Sequence, residues 1–130
     1  MKGPEAPLPV GHSYQDKEGN ERYRIRIKWY EPFNGQTIAQ YMMPPTTPPD
    51  PNLNRPLVLP SHAKPQGYPA TDPPVFVGHY WMPSKSPAPL TPNVTCVDYS
   101  VAKQGLLVAY RYNGESILDA TNYVAVPAQA

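Results

Sequence analysis

Between Arg22 and Tyr30 apolar and charged side chains alternate: Tyr23, Ile25, Ile27 and Trp29 interleave with Arg22, Arg24, Arg26 and Lys28. A period of two puts the four apolar groups on one face of a strand and the four cations on the other. The pattern predicts a half-buried strand with a solvated basic face; the competing use of that face is to steer phosphate. The Asn34-Gly35 pair that follows is a tight-turn signal. Gln36 to Met42 is therefore expected to pair back as the second strand of an N-terminal hairpin. Ahead of it, Pro4, Pro7 and Pro9 block helix, so residues 1 to 12 read as an extended leader.

From Pro44 to Pro74 periodicity disappears and proline dominates. Two uses compete: a polyproline-type ligand for a partner groove, or an irregular wrap over the sheet anchored by Leu53, Leu57, Val58, Leu59 and Tyr68. The wrap gives those apolar side chains somewhere to go. Pattern returns at Val75-Phe76-Val77, apolar on consecutive positions as in an interior strand, and stops at Gly78-His79. The run that holds Asn93-Val94-Thr95 and the stretch Leu106 to Tyr112 read as further strands. In the latter, Leu106, Val108, Tyr110 and Tyr112 share one face, with Leu107, Ala109 and Arg111 on the other. Both faces begin apolar, which predicts a strand inside a layered structure. Asn113-Gly114 marks another turn, Val101-Ala102-Lys103 a single helical turn, and either Ile117-Leu118 or Tyr123 to Val126 a terminal strand. The expected fold is mainly β: residues 1–43 as leader and β-hairpin, 44–74 as Pro-rich wrap and 75–127 as C-terminal β core, together one domain of 1–130.

Composition narrows the function classes. The chain's 20 prolines leave little room for helices. A net charge of +1 argues against a nucleic-acid or membrane surface. A single cysteine, Cys96, excludes an internal disulfide, and the opening Met-Lys-Gly-Pro-Glu carries no apolar signal core, so a cytoplasmic location is expected. Asn93-Val94-Thr95 matches a glycosylation sequon but lies on a core strand, where chance is the better explanation.

The residues past the Pro-rich segment carry a resemblance. Pro74-Val75-Phe76-Val77-Gly78-His79-Tyr80-Trp81-Met82 is followed by Asn93-Val94-Thr95-Cys96-Val97-Asp98-Tyr99-Ser100, then Lys103-Gln104-Gly105, then Leu106 to Glu115. This order resembles the C-terminal end of the calcineurin-like metallophosphoesterases, in particular the protein-phosphatase and diadenosine-tetraphosphatase branch. The likeness covers about residues 74 to 115. It departs from that branch at Tyr99-Ser100, where Thr-Gly is more usual, and at Tyr80-Trp81, which lacks the second histidine of Gly-His-x-His members.

The resemblance implies a binuclear-metal phosphoesterase in which His79 is one metal ligand and these strands form one sheet of an αββα sandwich. The family draws its other ligands from motifs of the type Asp-x-His, Gly-Asp-x-x-Asp and Gly-Asn-His-Glu, none of which occurs here; the histidines are His12, His62 and His79. The chain is thus expected to be a C-terminal fragment of a phosphatase or nucleoside polyphosphate hydrolase, inactive alone, with no catalytic or substrate-binding residue assigned. Its divalent metal pair (Mn, Fe, Zn or Ni) is expected only in the full-length enzyme. The implied partner is the missing N-terminal catalytic half, with a homo-oligomer through an uncovered sheet face as a further expectation and neither nucleic acid nor membrane. The plain reading of Asp98 is structural, accepting hydrogen bonds from the turn after it; for Arg111, pairing with Asp98 and touching substrate are both open, and neither role is assigned. The competing class is a noncatalytic β-rich protein-interaction or dimerisation module.

Overall fold

The computed structural model describes residues 3–16, 18–46, 48–83 and 85–129. The chain divides into two compact units, Gly3–Tyr68 and a second beginning at Pro69, so the division falls inside the Pro-rich segment. Among the described residues strands predominate, with one short α-helix, and the mainly β expectation holds. Among the described residues no helix is long and apolar enough to cross a membrane.

In the first unit, β1 (Glu5–Pro7) comes from the proline-spaced leader, and β2 (Tyr14–Gln15) and β3 (Glu21–Arg22) flank a polar turn. Asp16 organises that turn, its Oδ1 accepting the amides of Glu18 and Asn20, each at 2.9 Å. β4 (Arg24–Arg26) pairs antiparallel with β1, Ala6 opposite Ile25, while β3 pairs with β2. The alternating segment is therefore split between two small sheets. Tyr23 sits at the bend between them, its carbonyl accepting the Leu8 amide at 2.8 Å, and is 61% exposed. The expectation that Tyr23 faces inward is corrected: a bend resets the alternation that a continuous strand would have kept. Ile25 and Ile27 do face inward, at 1% and 3% exposure.

The second strand of the expected hairpin is not a strand. Residues Ile38–Tyr41 form the helix α1. Thr37 caps it, its hydroxyl accepting the Gln40 amide while the Gln40 side chain accepts the Thr37 amide. This reciprocal arrangement satisfies two amides that a helix start otherwise leaves unpaired. Thr37-x-x-Gln40 is its sequence signature, and it outweighs the Asn34-Gly35 turn signal. The hairpin pairing survives only as a bridge between Ile27 and Met42. The hairpin near the N-terminus is instead β2–β3. Beneath these elements Ala6, Ile25, Ile27, Ile38, Tyr41, Leu53, Leu57 and Leu59 form one buried cluster. Each fully buried Leu or Ile contributes about 1.5–3 kcal/mol relative to exposure. Leu57 and Leu59 are buried while Val58 between them is 76% exposed, so the Pro-rich chain presents alternate side chains to this core.

The second unit holds β5 (Val75–Val77), β6 (Val94–Cys96), β7 (Asp98–Tyr99), β8 (Leu106–Tyr110) and β9 (Tyr123–Pro127). β5 and β6 pair in parallel, Val77 opposite Cys96, whereas β7, β8 and β9 form an antiparallel sheet in that order. All three β6 residues are fully buried. Asn93 at its start, also fully buried, donates its side-chain amide to the carbonyls of Pro69 and Asp72 at 2.7 and 3.0 Å, which pins the approach to β5. Its burial leaves the sequon inaccessible. The two sheets are joined by rings and hydroxyls: Phe76 packs on Tyr110 and Tyr112, Tyr110 on Tyr123, and the Thr95 and Tyr123 hydroxyls share a hydrogen bond. A 3-10 turn at Val101–Lys103 links β7 to β8. The expectation that β8 is covered on both faces is corrected. Val108 is buried, but Leu107 is 60% exposed, beside exposed Ala109, Val124 and Val126 on the same face.

Candidate functional site

The chemistry-bearing residues of the second unit meet where β5 and β6 end. Because the pair is parallel and in register, Gly78-His79 and Val97-Asp98 leave the same edge of the sheet side by side. Hydrogen bonds lock the two departures together: Val97 N donates to Val77 O at 3.0 Å and Met82 N to Asp98 O at 2.9 Å, while the Ser100 hydroxyl donates to Met82 O at 3.2 Å. The carboxyl edge of parallel strands is where open α/β sheets bind their ligands.

Backbone strain gathers at this edge. Among the described residues the non-glycine residues at positive φ are His79 (70°), Trp81 (52°), Ser100 (62°) and Gln104 (64°), all in the two loops that leave it. Side chains with a Cβ adopt this region at a cost, and a structure retains it where its surroundings over-determine it. Tyr80 is the anchor here. It is 1% exposed, whereas His79 and Trp81 on either side are exposed. Gly105 closes the second loop by close approach: a Cβ there would lie 2.1 Å from the Tyr99 carbonyl oxygen.

His79, the expected metal ligand, thus stands at the strand end with its imidazole exposed, and among the described residues it makes no hydrogen bond or ion pair. That placement is unlike a core histidine, which would be buried and satisfied. Asp98 is half-buried and its Oδ1 accepts the Ser100 amide at 3.2 Å, the turn-stabilising contact expected of it. Arg111, just past the end of β8, is exposed and makes no ion pair with Asp98; its amide donates to Asn122 O.

Between the loops lies a cavity of about 180 Å³ lined by Trp81, Asp98, Ser100, Val101 and Ala102. Lys103 Nζ sits 5.8 Å from the centre of the Trp81 ring. The sequence reading passed over Trp81 and Ser100 as site residues. The available signal was an indole two positions past Gly-His in a short, proline-bounded turn.

The remaining candidates lie in the first unit. His12 contacts the Arg55 guanidinium through its ring nitrogens, at 3.0 and 3.3 Å, on the surface, and His62 is exposed on the 3-10 turn Ser61–Ala63. The basic stripe is met by carboxylates: Arg22 pairs with Asp16 at 2.7 Å, and Arg24 and Arg26 reach Glu5 at 3.4 and 3.8 Å. Those pairs weaken the field a phosphate would feel. Among the described residues no three His, Cys, Asp or Glu side chains gather as a metal-binding group. A two-metal site takes four or more donors, so the side chains of this chain do not by themselves fit the metal pair that the resemblance implies.

No family model, curated protein or solved structure matches the chain. The geometry of the strand-end loops is therefore the ground on which a function rests.

Proposed function

We propose that this chain is the C-terminal part of a metal-dependent phosphoester hydrolase of the calcineurin-like class, a phosphatase or nucleoside polyphosphate hydrolase, with His79 as one ligand of a divalent metal pair. The observation that carries the reading is the placement of His79: exposed, at φ 70°, on the carboxyl edge of a parallel strand pair. Strain at an exposed imidazole has a use when that imidazole must be aimed. Among the described residues the parallel pair has no third strand, which adds support, since parallel sheets occur almost only as larger sheets covered on both faces. In this reading the N-terminal half supplies the other ligands and the rest of an αββα sandwich, and the Pro-rich segment wraps the small sheets of the first unit.

The test needs the longer protein. Expressed in frame with its upstream coding sequence, it should hydrolyse p-nitrophenyl phosphate with Mn²⁺, and His79→Ala should lower turnover by about 100-fold or more with the fold intact. An upstream frame without Asp-x-His and Gly-Asn-His-Glu motifs, or a variant that keeps its activity, sinks the proposal.

One observation favours the second reading, a noncatalytic interaction or dimerisation module. The row of Leu107, Ala109, Val124 and Val126 leaves one face of the antiparallel sheet apolar and open, and such patches mark partner sites. If the row dimerises the chain, sedimentation will show a concentration-dependent dimer that Leu107→Lys abolishes. A monomer at all concentrations removes self-association from this reading.

A further inference from the structure

The cavity beside the strand-end loops has a chemistry of its own. It is lined by Trp81, 37% exposed, and Asp98, with Ser100, Val101 and Ala102 completing it. One carboxylate oxygen of Asp98 accepts the Ser100 amide, which leaves the other oxygen for a ligand. An indole face attracts cations through its quadrupole, and a carboxylate beside it adds a full negative charge. Phosphate is disfavoured here for the same reason. The chain already places a cation on this ring: Lys103 Nζ, at the end of a flexible stem from the neighbouring 3-10 turn, lies 5.8 Å from its centre, near the outer limit of the interaction. Hydrogen bonds from Met82 N to Asp98 O and from the Ser100 hydroxyl to Met82 O tie together the two loops that carry the ring and the carboxylate.

We infer that the Trp81–Asp98 cavity binds an alkylammonium group, with the Lys103 side chain as a tethered competitor for the ring. About 180 Å³ accommodates a small ammonium head. The inference is independent of any metal at His79, because binding here requires no turnover. The ammonium belongs either to a small amino alcohol or to a lysine side chain, and the two sources share the recognition chemistry.

The full 130-residue chain, isotopically labelled, is titrated with choline, with ethanolamine, with Nα-acetyl-lysine methylamide and with 3,3-dimethylbutanol, the neutral isostere of choline. The amide signals of Ser100 and Val101 and the Trp81 indole signal report binding. Saturable shifts with one or more ammonium compounds, and none with the neutral isostere, are expected. Response to choline or ethanolamine alone assigns the site to small amino alcohols; response to the lysine derivative alone assigns it to a protein side chain. Asp98→Asn and Trp81→Leu should each weaken binding by about tenfold, and Lys103→Gln should strengthen it. Because Trp81 and Lys103 are exposed, their variants keep the fold readable if Asp98→Asn loosens the loop. Absence of saturation by every ammonium compound overturns the inference, as does an equal response to the neutral isostere or binding indifferent to both Trp81→Leu and Lys103→Gln.

Discussion

At the residue scale, burial decides which groups are chemically available. Cys96 is fully buried and burial raises its thiol pKa, although the Asp98 amide 3.4 Å from its sulfur pulls the other way. A thiol reacts as thiolate, so this one should be inert while folded. Ellman's reagent should label it only at the rate of unfolding, and prompt labelling of the native chain would contradict its burial. Asp16 is the opposite case. Partial desolvation works to raise its pKa, but the amides of Asn20 and Glu18 and the Arg22 guanidinium outweigh it and hold the carboxyl at about 2, below its ordinary 3.8. A depressed acid stabilises the fold above its unfolded pKa and loses that contribution as pH falls through the folded value. The urea midpoint should therefore exceed that of Asp16→Asn at pH 5, and the difference should close between about pH 4 and pH 2. A gap unchanged at pH 2 would mean that the turn does not depend on this charge.

At the scale of elements, local signals and tertiary pairing compete. The capping box of α1 is encoded within four residues, and Thr37→Ala should cost about 1 kcal/mol in urea unfolding. Ile27, buried between β4 and the bridge to Met42, should cost about 2–4 kcal/mol as Ile27→Ala, whereas Arg24→Ala on the exposed face should stay within about 0.5 kcal/mol. A larger cost for Arg24→Ala than for Ile27→Ala would show that the faces have been exchanged. Gly105→Ala tests the β7–β8 connection. Its Cβ meets backbone at 2.1 Å and not a movable side-chain end, so the loop must shift, at about 1–3 kcal/mol. Full stability in that variant would mean that the loop does not hold Gly105 against the Tyr99 carbonyl.

At the scale of the whole molecule, the division of the chain and the open face of β8 and β9 are the features that residue patterns left hidden. Alternation marked Ile25 and Ile27 as inward because a strand's side chains change face every residue, whatever lies beyond. Likewise the strand at Val75–Val77 and its stop at Gly78-His79 were legible, since each rests on local backbone chemistry, but the covering expected on both its faces was not found: Phe76 is 39% exposed. Asn113-Gly114 holds only a bend within the long connection from β8 to β9, and the choice of Tyr123–Pro127 over Ile117-Leu118 as terminal strand came from pairing with β8. The strand partners were not. Arg24–Arg26 pairs with a leader segment that reads as proline-spaced coil, and pairing is settled by which apolar groups can share a core, a matter of residues far apart in the chain. The site divides the same way. Gly-His was visible as a motif, but the juxtaposition of His79, Trp81, Asp98 and Ser100 depends on β5 and β6 running parallel in register, which no local pattern encodes. Exposure was hardest to read: Leu107 and Val108 are adjacent apolar residues, and only the packing on one face of the sheet separates the buried one from the open one. The sequence alone determined which short segments prefer to be extended, turned or apolar, because those preferences are set within a few residues. Tertiary structure decided which segments meet, which face is covered and which side chains share a cavity, because these depend on contacts between residues distant along the chain.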